Sequence, residues 1–181
     1  MELYRRENYL KKIRGFYHDS EMIKVITGVR RCGKSSLMQT IVEELKEQGV
    51  PEANLVFLDL DSKKHKSIKK PEQLEQEIDK LCSAEGMKYL FIDEIQNIIG
   101  FEEIINAYRG EKEYSVFITG SNSYLLSGEL ITKLTGRYIE IEMLPLSFEE
   151  YIDMKQYYGK NVSPNPTEEL DKYINEGGFP K

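Results

Sequence analysis

Short apolar runs alternate with amphipathic segments along the chain. The runs that predict strands are MIKVIT (22–27), NLVFLDL (54–60), KYLFID (88–93), YSVFITG (114–120) and RYIEIEM (137–143). The middle three are almost continuously apolar, which is typical of strands that helices cover on both faces. The last alternates polar and apolar residues, which predicts a half-exposed edge strand. Strands that alternate with helices predict an α/β fold with a mostly parallel sheet.

The segments between and after these runs have apolar residues at helical spacing. Apolar residues spaced to form one helical face predict helices that begin near Ser35, Pro71, Phe101, Phe148 and Asn165. Gly49 and Gly86 follow the first two apolar faces and are expected to end those helices. Ser147 and Glu150 have the spacing of a capping box at the start of the fourth.

Composition narrows the class of protein. The chain has 181 residues, of which 40% are apolar and 31% charged, as expected of one globular domain with a hydrophobic core. The net charge of −6 disfavours a protein whose whole surface binds nucleic acid. Cys32 and Cys82 lack the spacing of a metal site and favour a reducing compartment. Because no apolar stretch approaches the roughly 18 residues that span a bilayer, we expect a cytoplasmic protein without a membrane segment.

The segment GVRRCGKS follows the first predicted strand. Its Gly28, Gly33, Lys34 and Ser35 form the pattern of a Walker A phosphate loop. Glycines permit a turn whose amides face an anion, and the following helix adds the positive end of its dipole. In such a loop the lysine reaches the β- and γ-phosphates, and the serine hydroxyl is a ligand of Mg²⁺.

The predicted nucleotide site takes in the whole loop. Its candidate binding residues are Gly28, Val29, Arg30, Arg31, Cys32, Gly33, Lys34, Ser35 and Ser36. The two arginines either add positive potential or are solvated turn residues.

Two acids, Asp93 and Glu94, end the third predicted strand. Ligands of open α/β sheets bind at the carboxyl ends of strands, so both acids are expected to face the nucleotide. Asp93 would hold Mg²⁺, directly or through water, and Glu94 would orient and deprotonate the attacking water. Alternatively, the two acids begin a helix whose dipole favours them. The phosphate loop upstream favours the catalytic interpretation, and the tandem acids favour hydrolysis.

Further polar residues follow the fourth predicted strand and precede the fifth. Asn122, with Ser121 beside it, is placed to sense the γ-phosphate, although both residue types are ordinary helix N-caps. Arg137 is either a solvated residue at a strand start or a finger that reaches a neighbouring subunit's nucleotide. The lysine-rich run 62–70 either contacts nucleic acid or another chain or is a solvated loop. Charge runs are most often solvated, and no interleaved aromatic residues favour base stacking, so we expect the loop.

Together these segments resemble the AAA+ ATPases, specifically the bacterial and archaeal group of predicted ATPases with an additional C-terminal domain. The resemblance is carried by RRENYLKKI, ITGVRRCGKSSLM, LFIDEIQN, ITGSNSYLLSGELITKLTGRYIEIEMLPLSFEEY and GGFP. The Walker segments are common to P-loop ATPases. The run from GSNS to PLSFEEY is what narrows the resemblance to this group.

The resemblance implies a three-layer α/β/α sandwich with parallel sheet order 5-1-4-3-2, and ATP with Mg²⁺ as cofactors. It assigns the phosphate loop to Walker A and the two acids to Walker B, and makes Asn122 a sensor. It raises Arg137 to a candidate arginine finger, which would act in trans in a homo-oligomer. Since RRENYLKKI matches a segment that runs past the adenine in related ATPases, Tyr9 or Ile13 is expected to line the base pocket.

We expect residues 1–160 to form an ATPase core. Residues 161–181 would begin a helical lid or a linker to a C-terminal domain, through which a nucleic-acid or protein partner would act. The leading hypothesis is Mg²⁺-dependent hydrolysis of ATP to ADP, coupled to conformational change. One alternative is a nucleotide-dependent switch or scaffold with negligible turnover, one form of which associates with DNA. Another is a small-molecule kinase, which shares Walker A but needs an acceptor site and an arginine-rich lid.

Overall fold

A computed structural model of the chain describes residues 3–82, 84–120, 134 and 136–180. Its strands are β1 (Ile23–Gly28), β2 (Leu55–Asp59), β3 (Lys88–Asp93), β4 (Tyr114–Gly120) and β5 (Tyr138–Met143). All neighbouring pairs are parallel, and the order across the sheet is β2-β3-β4-β1-β5. The predicted fold class and sheet order are therefore confirmed.

The described helices lie between and beside these strands. They are α1 (Glu7–Ile13), α2 (Lys34–Glu47), α3 (Pro71–Leu81), α4 (Phe101–Gly110), α5 (Phe148–Tyr157) and α6 (Pro166–Glu176). The capping box is present, since Glu150 N donates to Ser147 Oγ at 3.1 Å and Ser147 N donates to Glu150 Oε2 at 2.9 Å. Helix α1 was not predicted from periodicity. Helix α3 ends well before Gly86, because the backbone leaves the helical conformation at Cys82.

Two hydrophobic clusters cover the opposite faces of the sheet. Helices α3 and α4 cover one face with side chains that include Leu74, Ile78 and Phe101, all fully buried. Helices α1 and α2 cover the other with side chains that include Leu10 and Ile41. Burial of each such side chain contributes about 1.5–3 kcal/mol, so these two layers hold the sandwich together.

The edge strands differ from the central ones in exposure. In β5, Ile141 and Met143 are buried while Glu140 and Glu142 face outward, as the alternating pattern predicts. Strand β2 was expected to be covered on both faces, yet every second residue along it, Phe57 among them, is only half-buried. The reason is its place at the other edge of the sheet, where β3 is its only neighbouring strand.

One lysine lies inside the sheet. Lys24 of β1 is fully buried, and its Nζ donates to the carbonyls of Asp19 at 2.5 Å and Met22 at 3.0 Å and to Ser115 Oγ at 2.7 Å. Burial lowers the pKa of Lys24 to about 7. The apolar run that predicts β1 thus contains a polar contact that only the neighbouring segments can satisfy.

The amino-terminal segment is fixed to α2 through a nearly buried carboxylate, that of Glu44. Its oxygens accept hydrogen bonds from Arg14 Nε at 3.0 Å, Arg14 Nη2 at 2.7 Å and the Tyr17 hydroxyl at 2.8 Å. The hydrogen bonds from Arg14 hold the pKa of Glu44 below its ordinary value of 4.5. The turn after α1 is therefore attached to the helix that follows the phosphate loop.

We expect Glu44→Gln to lower the free energy of unfolding by about 2 kcal/mol near neutral pH, because charge-assisted hydrogen bonds from Arg14 are lost. Since the folded-state pKa is depressed, this contribution is present above pH 4.5 and is lost as pH falls through the folded value. Urea unfolding at several pH values measures both effects. Glu43→Gln is the control, and an equal loss in both variants would contradict the assignment.

Candidate functional site

The loop between β1 and α2 has the backbone of a phosphate loop. A side chain at Gly28 would place its Cβ 2.4 Å from the Met143 carbonyl oxygen and 2.7 Å from Cys32 Sγ, so only glycine fits. Arg31 and Gly33 adopt left-handed conformations with φ of 66° and 104°. The loop then enters α2 at Lys34, so it ends at a helix amino terminus, where free amides and the helix dipole favour an anion.

The side chains of the loop divide into exposed and buried groups. The exposed ones are those of Val29, Arg30, Arg31, Ser35 and Ser36. Cys32 is fully buried, and burial raises the pKa of its thiol. Its side chain therefore belongs to the core, and only its backbone is available to a ligand.

Lys34 lies across its own loop. Its side chain is nearly buried, and Nζ donates to the carbonyls of Gly28 at 3.1 Å and Val29 at 3.2 Å. The same nitrogen is 4.0 Å from Glu94 Oε1. The predicted lysine and the predicted base thus meet at one point, although 60 residues separate them in the chain.

A single threonine of β4 contacts both predicted acids. The hydroxyl of Thr119 donates to a carboxylate oxygen of Asp93, and Thr119 Oγ1 accepts from the Glu94 amide at 2.9 Å. Thr119 is fully buried and Asp93 almost so. Glu94 itself is left-handed, with φ 58°. Sequence reasoning missed Thr119; the available signal was a polar residue near the end of an otherwise apolar strand.

Gln96 holds the other side of the predicted base. Its Nε2 donates to Glu94 Oε2, and its Oε1 is buried without a hydrogen-bond partner among the described residues. A cavity of about 310 Å³ adjoins this contact. It is lined by Arg30, Lys34, Asp61, Glu94, Gln96 and Asn97. Gln96 also escaped prediction from the sequence, since a glutamine beside an acid pair has no distinctive spacing.

The phosphate loop is held from behind by Arg6, which sequence reasoning did not single out. All five of its N–H groups are used, and the side chain is only 7% exposed. Two donate to the Glu150 carboxylate at 3.0 and 2.7 Å, and one to the Cys32 carbonyl at 3.0 Å. The remaining contacts reach the carbonyls of Leu144 at 2.9 Å and Pro145 at 3.4 Å. One guanidinium therefore joins the amino-terminal segment, the loop, the end of β5 and α5.

The predicted base-pocket residues lie beside this contact. Arg6 lies over the Tyr9 ring at 4.6 Å, and the Tyr9 hydroxyl accepts from Leu144 N at 3.0 Å. Ile13 is fully buried in the core. Tyr9 lines a shallow groove, separate from the cavity of about 60 Å³ next to the phosphate loop. The cavity of about 60 Å³ is lined by Leu3, Tyr4, Arg6, Gly33, Ser36, Leu37, Thr40, Leu146, Met154, Tyr158 and Pro180.

Arg137 is not part of this chain's own loop region. Its backbone carbonyl accepts from Ile23 N at 3.0 Å, at the amino ends of β1 and β5, whereas Gly28 pairs with Met143 at their carboxyl ends. At about 3.3 Å per residue, the two ends are roughly 17 Å apart. Asn122 and Ser121 lie outside the described residues.

Magnesium would find hard oxygen donors at the carboxyl edge of the sheet. The exposed Ser35 hydroxyl and the Asp93 carboxylate are of the kind that Mg²⁺ prefers. Within the described part of the chain, no group of three or more His, Cys, Asp or Glu residues is arranged to hold a metal ion. The residues present thus fit an ion that takes most of its ligands from phosphates and water.

A parallel sheet of this order, with a glycine-rich loop opening α2, defines a P-loop domain of the AAA+ type. A model of the AAA domain family matches residues 20–152, and the chain belongs to this family. An AMPPCP-bound DnaA structure from Aquifex aeolicus has a TM-score of 0.64 at 15% identity, covering 98% of this chain and 59% of that one. At that identity the likeness shows the fold alone.

Two relatives are closer in sequence. An uncharacterized protein of Haemophilus influenzae is 41% identical over 180 residues, which cover 97% of this chain and 43% of that protein. The uncharacterized protein MJ1544 of Methanocaldococcus jannaschii is 35% identical over 165 residues, covering 88% and 36%. The chain therefore spans less than half the length of these relatives. Across the described residues, no helix has the length and apolar character needed to cross a membrane.

We expect Arg6→Gln to lower the free energy of unfolding by about 3 kcal/mol, because Glu150 and three carbonyls lose a buried partner. The neighbouring variant Arg5→Gln is the control. Arg5 makes an exposed ion pair with Glu47 and a longer contact of 3.7 Å with Glu44. Because Glu44 keeps its hydrogen bonds from Arg14, the loss of Arg5 should cost about 1 kcal/mol. Chemical unfolding measures the difference, and amide exchange should accelerate in the phosphate loop of Arg6→Gln alone. Equal effects of the two variants would contradict the role of Arg6.

Proposed function

We propose that this chain binds ATP with Mg²⁺ and hydrolyses it to ADP, coupling the reaction to conformational change. The observation that carries the proposal is the meeting of Lys34 and Glu94, with Nζ 4.0 Å from Oε1, beside the buried Asp93. Lys34 can bind phosphate, and Glu94 can take a proton from water. Both lie at the carboxyl ends of the strands. The tandem acids Asp93 and Glu94 at the end of β3 support water as the acceptor over the hydroxyl group that a kinase needs.

Binding begins at the loop and the amino terminus of α2. The phosphates offer Lys34 stronger acceptors than the two loop carbonyls that it now contacts, because phosphate oxygens carry charge. Ser35 and Asp93 would hold Mg²⁺, which supplies charge neutralisation for the phosphates when bound. The exposed Arg30 and Arg31 add positive potential at the entrance.

Glu94 acts as the general base in this proposal. Its backbone is fixed by Thr119 and one carboxylate oxygen by Gln96, which leaves Oε1 on the side of Lys34. A carboxylate held in this way is oriented before the nucleotide arrives, so less reorganisation is needed in the transition state. Asn122 would add a sensor contact to the γ-phosphate.

The base of the nucleotide would lie at the cavity between the amino-terminal segment and the end of the chain. The cavity adjoins Gly33 and Ser36, and Tyr4 and Tyr158 supply aromatic side chains there. Tyr9 would support this pocket indirectly, through its contacts with Arg6 and Leu144. Residues 161–181 would serve as the start of a lid, since Leu146 N donates to the Gly178 carbonyl at 2.6 Å.

Arg137 would act on the nucleotide of a second copy in a homo-oligomer. The strand length between it and the phosphate loop excludes a contact within one copy, and supports action in trans. A nucleic-acid or protein partner would be engaged by the remainder of a longer protein, beyond the core of residues 1–160.

We expect Lys34→Ala to weaken ATP binding at least tenfold, and Glu94→Gln to retain binding while turnover falls about 100-fold, because only the proton acceptor is lost. Nucleotide binding and phosphate release would be measured on this chain and on the full-length protein. Glu103→Gln, an exposed glutamate of α4, is the matched control. If ATP binds but neither chain hydrolyses it, the nucleotide-switch alternative replaces the ATPase proposal.

We expect Gln96→Leu to lower kcat about tenfold while the Kd for ATP stays within twofold, because Glu94 loses its fixed orientation. In a Glu94→Gln background the same substitution should have no further effect on kcat. Asn97→Leu is the control from the same turn, since Asn97 contacts Asp61 at 2.9 Å and not the base. A parallel loss of ATP affinity in Gln96→Leu would indicate a structural role instead.

A further inference from the structure

A further charged cavity, called the second cavity below, lies at the amino ends of the strands, opposite the end of the sheet that carries the phosphate loop. Its volume is about 400 Å³. It is lined by Glu21, Met22, Arg109, Gly110, Lys112 and Arg137. These residues come from the segments that precede β1, β4 and β5. The cavity is therefore separate from the proposed nucleotide site of the same copy, by about the length of a strand.

The arginines of this protein fall into two groups, those whose side chains pair with a carboxylate and those whose side chains do not pair with any described residue. Of the seven in the sequence, Arg5, Arg6 and Arg14 pair with carboxylates. The other four form no ion pair or hydrogen bond through their side chains with any described residue, and they lie in just two places. Arg30 and Arg31 are on the phosphate loop, and Arg109 and Arg137 line this cavity. The arginines whose side chains lack a partner among the described residues are thus found where an anion is expected and at one further location.

Arg109 is the most informative of these. Its Nε is buried, yet it has no hydrogen-bond partner in the described part of the chain. A buried donor without a partner costs about 1–3 kcal/mol, so an acceptor from a ligand would complete a hydrogen bond that the described residues do not provide. The guanidinium fork presents parallel donors that match two oxygens of one phosphate.

Backbone conformation marks the same two places. Among the described residues other than glycine, only Arg31, Glu94 and Lys112 have positive φ, with values of 66°, 58° and 59°. Two of the three belong to the proposed nucleotide site. The third, Lys112, lines the second cavity. At Lys112 this conformation also ends α4, because Lys112 follows the cap residue Glu111, a position where helices commonly adopt a left-handed residue.

The charge of the cavity opposes that of the whole protein. Three cationic side chains and one acid, Glu21, line it, whereas the chain carries a net charge of −6. The carboxyl end of α4 contributes a partial negative charge that reduces the positive potential without reversing it. The local excess of cations therefore favours a multivalent anion.

We propose that Arg109, Lys112 and Arg137 form a binding site for a phosphate-bearing anion. The ligand is either a free polyphosphate or the phosphate tail of a nucleotide held by a second copy of this chain. The second source rests on the proposed function, and in it Arg109 and Lys112 join Arg137 at the neighbouring nucleotide. The site itself does not depend on hydrolysis.

Calorimetric titration with pyrophosphate tests the site in a Lys34→Ala background, where binding at the phosphate loop is weakened. We expect one remaining site, whose affinity falls at least tenfold in the added double substitution Arg109→Gln and Lys112→Gln. In the Lys34→Ala background, Arg109→Lys in place of the double substitution should keep most of the affinity, because it keeps the positive charge. Lys63→Gln, an exposed lysine elsewhere, is the control. The proposal is overturned if Lys34→Ala binds no pyrophosphate, or binds it equally well after the double substitution.

Sedimentation of the otherwise unmodified chain with a non-hydrolysable ATP analogue distinguishes the two sources. Nucleotide-dependent self-association that Arg109→Gln weakens identifies a second copy as the donor of the phosphates. A monomer that still binds pyrophosphate at the second cavity identifies a free anion. Because the pyrophosphate titration needs neither ATP turnover nor assembly, failure of the ATPase proposal leaves its result interpretable.

Discussion

The position of the phosphate loop depends on one buried guanidinium. Arg6 donates to the loop at the Cys32 carbonyl, to the end of β5 and to Glu150 of α5. Each acceptor comes from a different part of the chain, and each would lose a buried donor without it. Because Glu150 also caps α5 through Ser147, the orientation of that helix and the shape of the loop are mechanically connected. A change of conformation at α5 would therefore be transmitted to the loop through a contact with little freedom.

The order of the parallel strands brings the predicted phosphate loop and the predicted acids close together. Strands β1 and β3 are not neighbours, since β4 lies between them, yet their carboxyl ends share one edge. The intervening strand contributes Thr119. Its hydroxyl donates to the Asp93 carboxylate and accepts from the Glu94 amide. The middle strand is thus both a spacer and a source of hydrogen bonds that fix the acids. Lys112, two residues before the amino end of this strand, lines the cationic cavity at the amino ends of the strands.

Much of the fold follows from local chemistry that the sequence displays. The strands were predicted because parallel, two-sided burial demands continuous apolar runs, and the α5 cap because Ser147 and Glu150 satisfy each other locally. Helix α1 was missed because it is short, and Lys24 because an apolar run gives no sign that a charged residue within it is fully buried. The partial exposure of every second residue of β2 followed from its place at the sheet edge rather than from its composition.

The same division applies to the proposed site. The sequence by itself determined the loop, Lys34 and the acid pair, because their spacing is confined to a few consecutive residues and reflects local backbone requirements. Tertiary structure alone decided the roles of Arg6, Thr119 and Gln96, and brought Arg109, Lys112 and Arg137 to one cavity. These contacts depend on which strand ends share an edge and on which donors burial leaves without partners. Hydrogen-bond satisfaction is a property of the folded neighbourhood, so no single segment of the sequence encodes it.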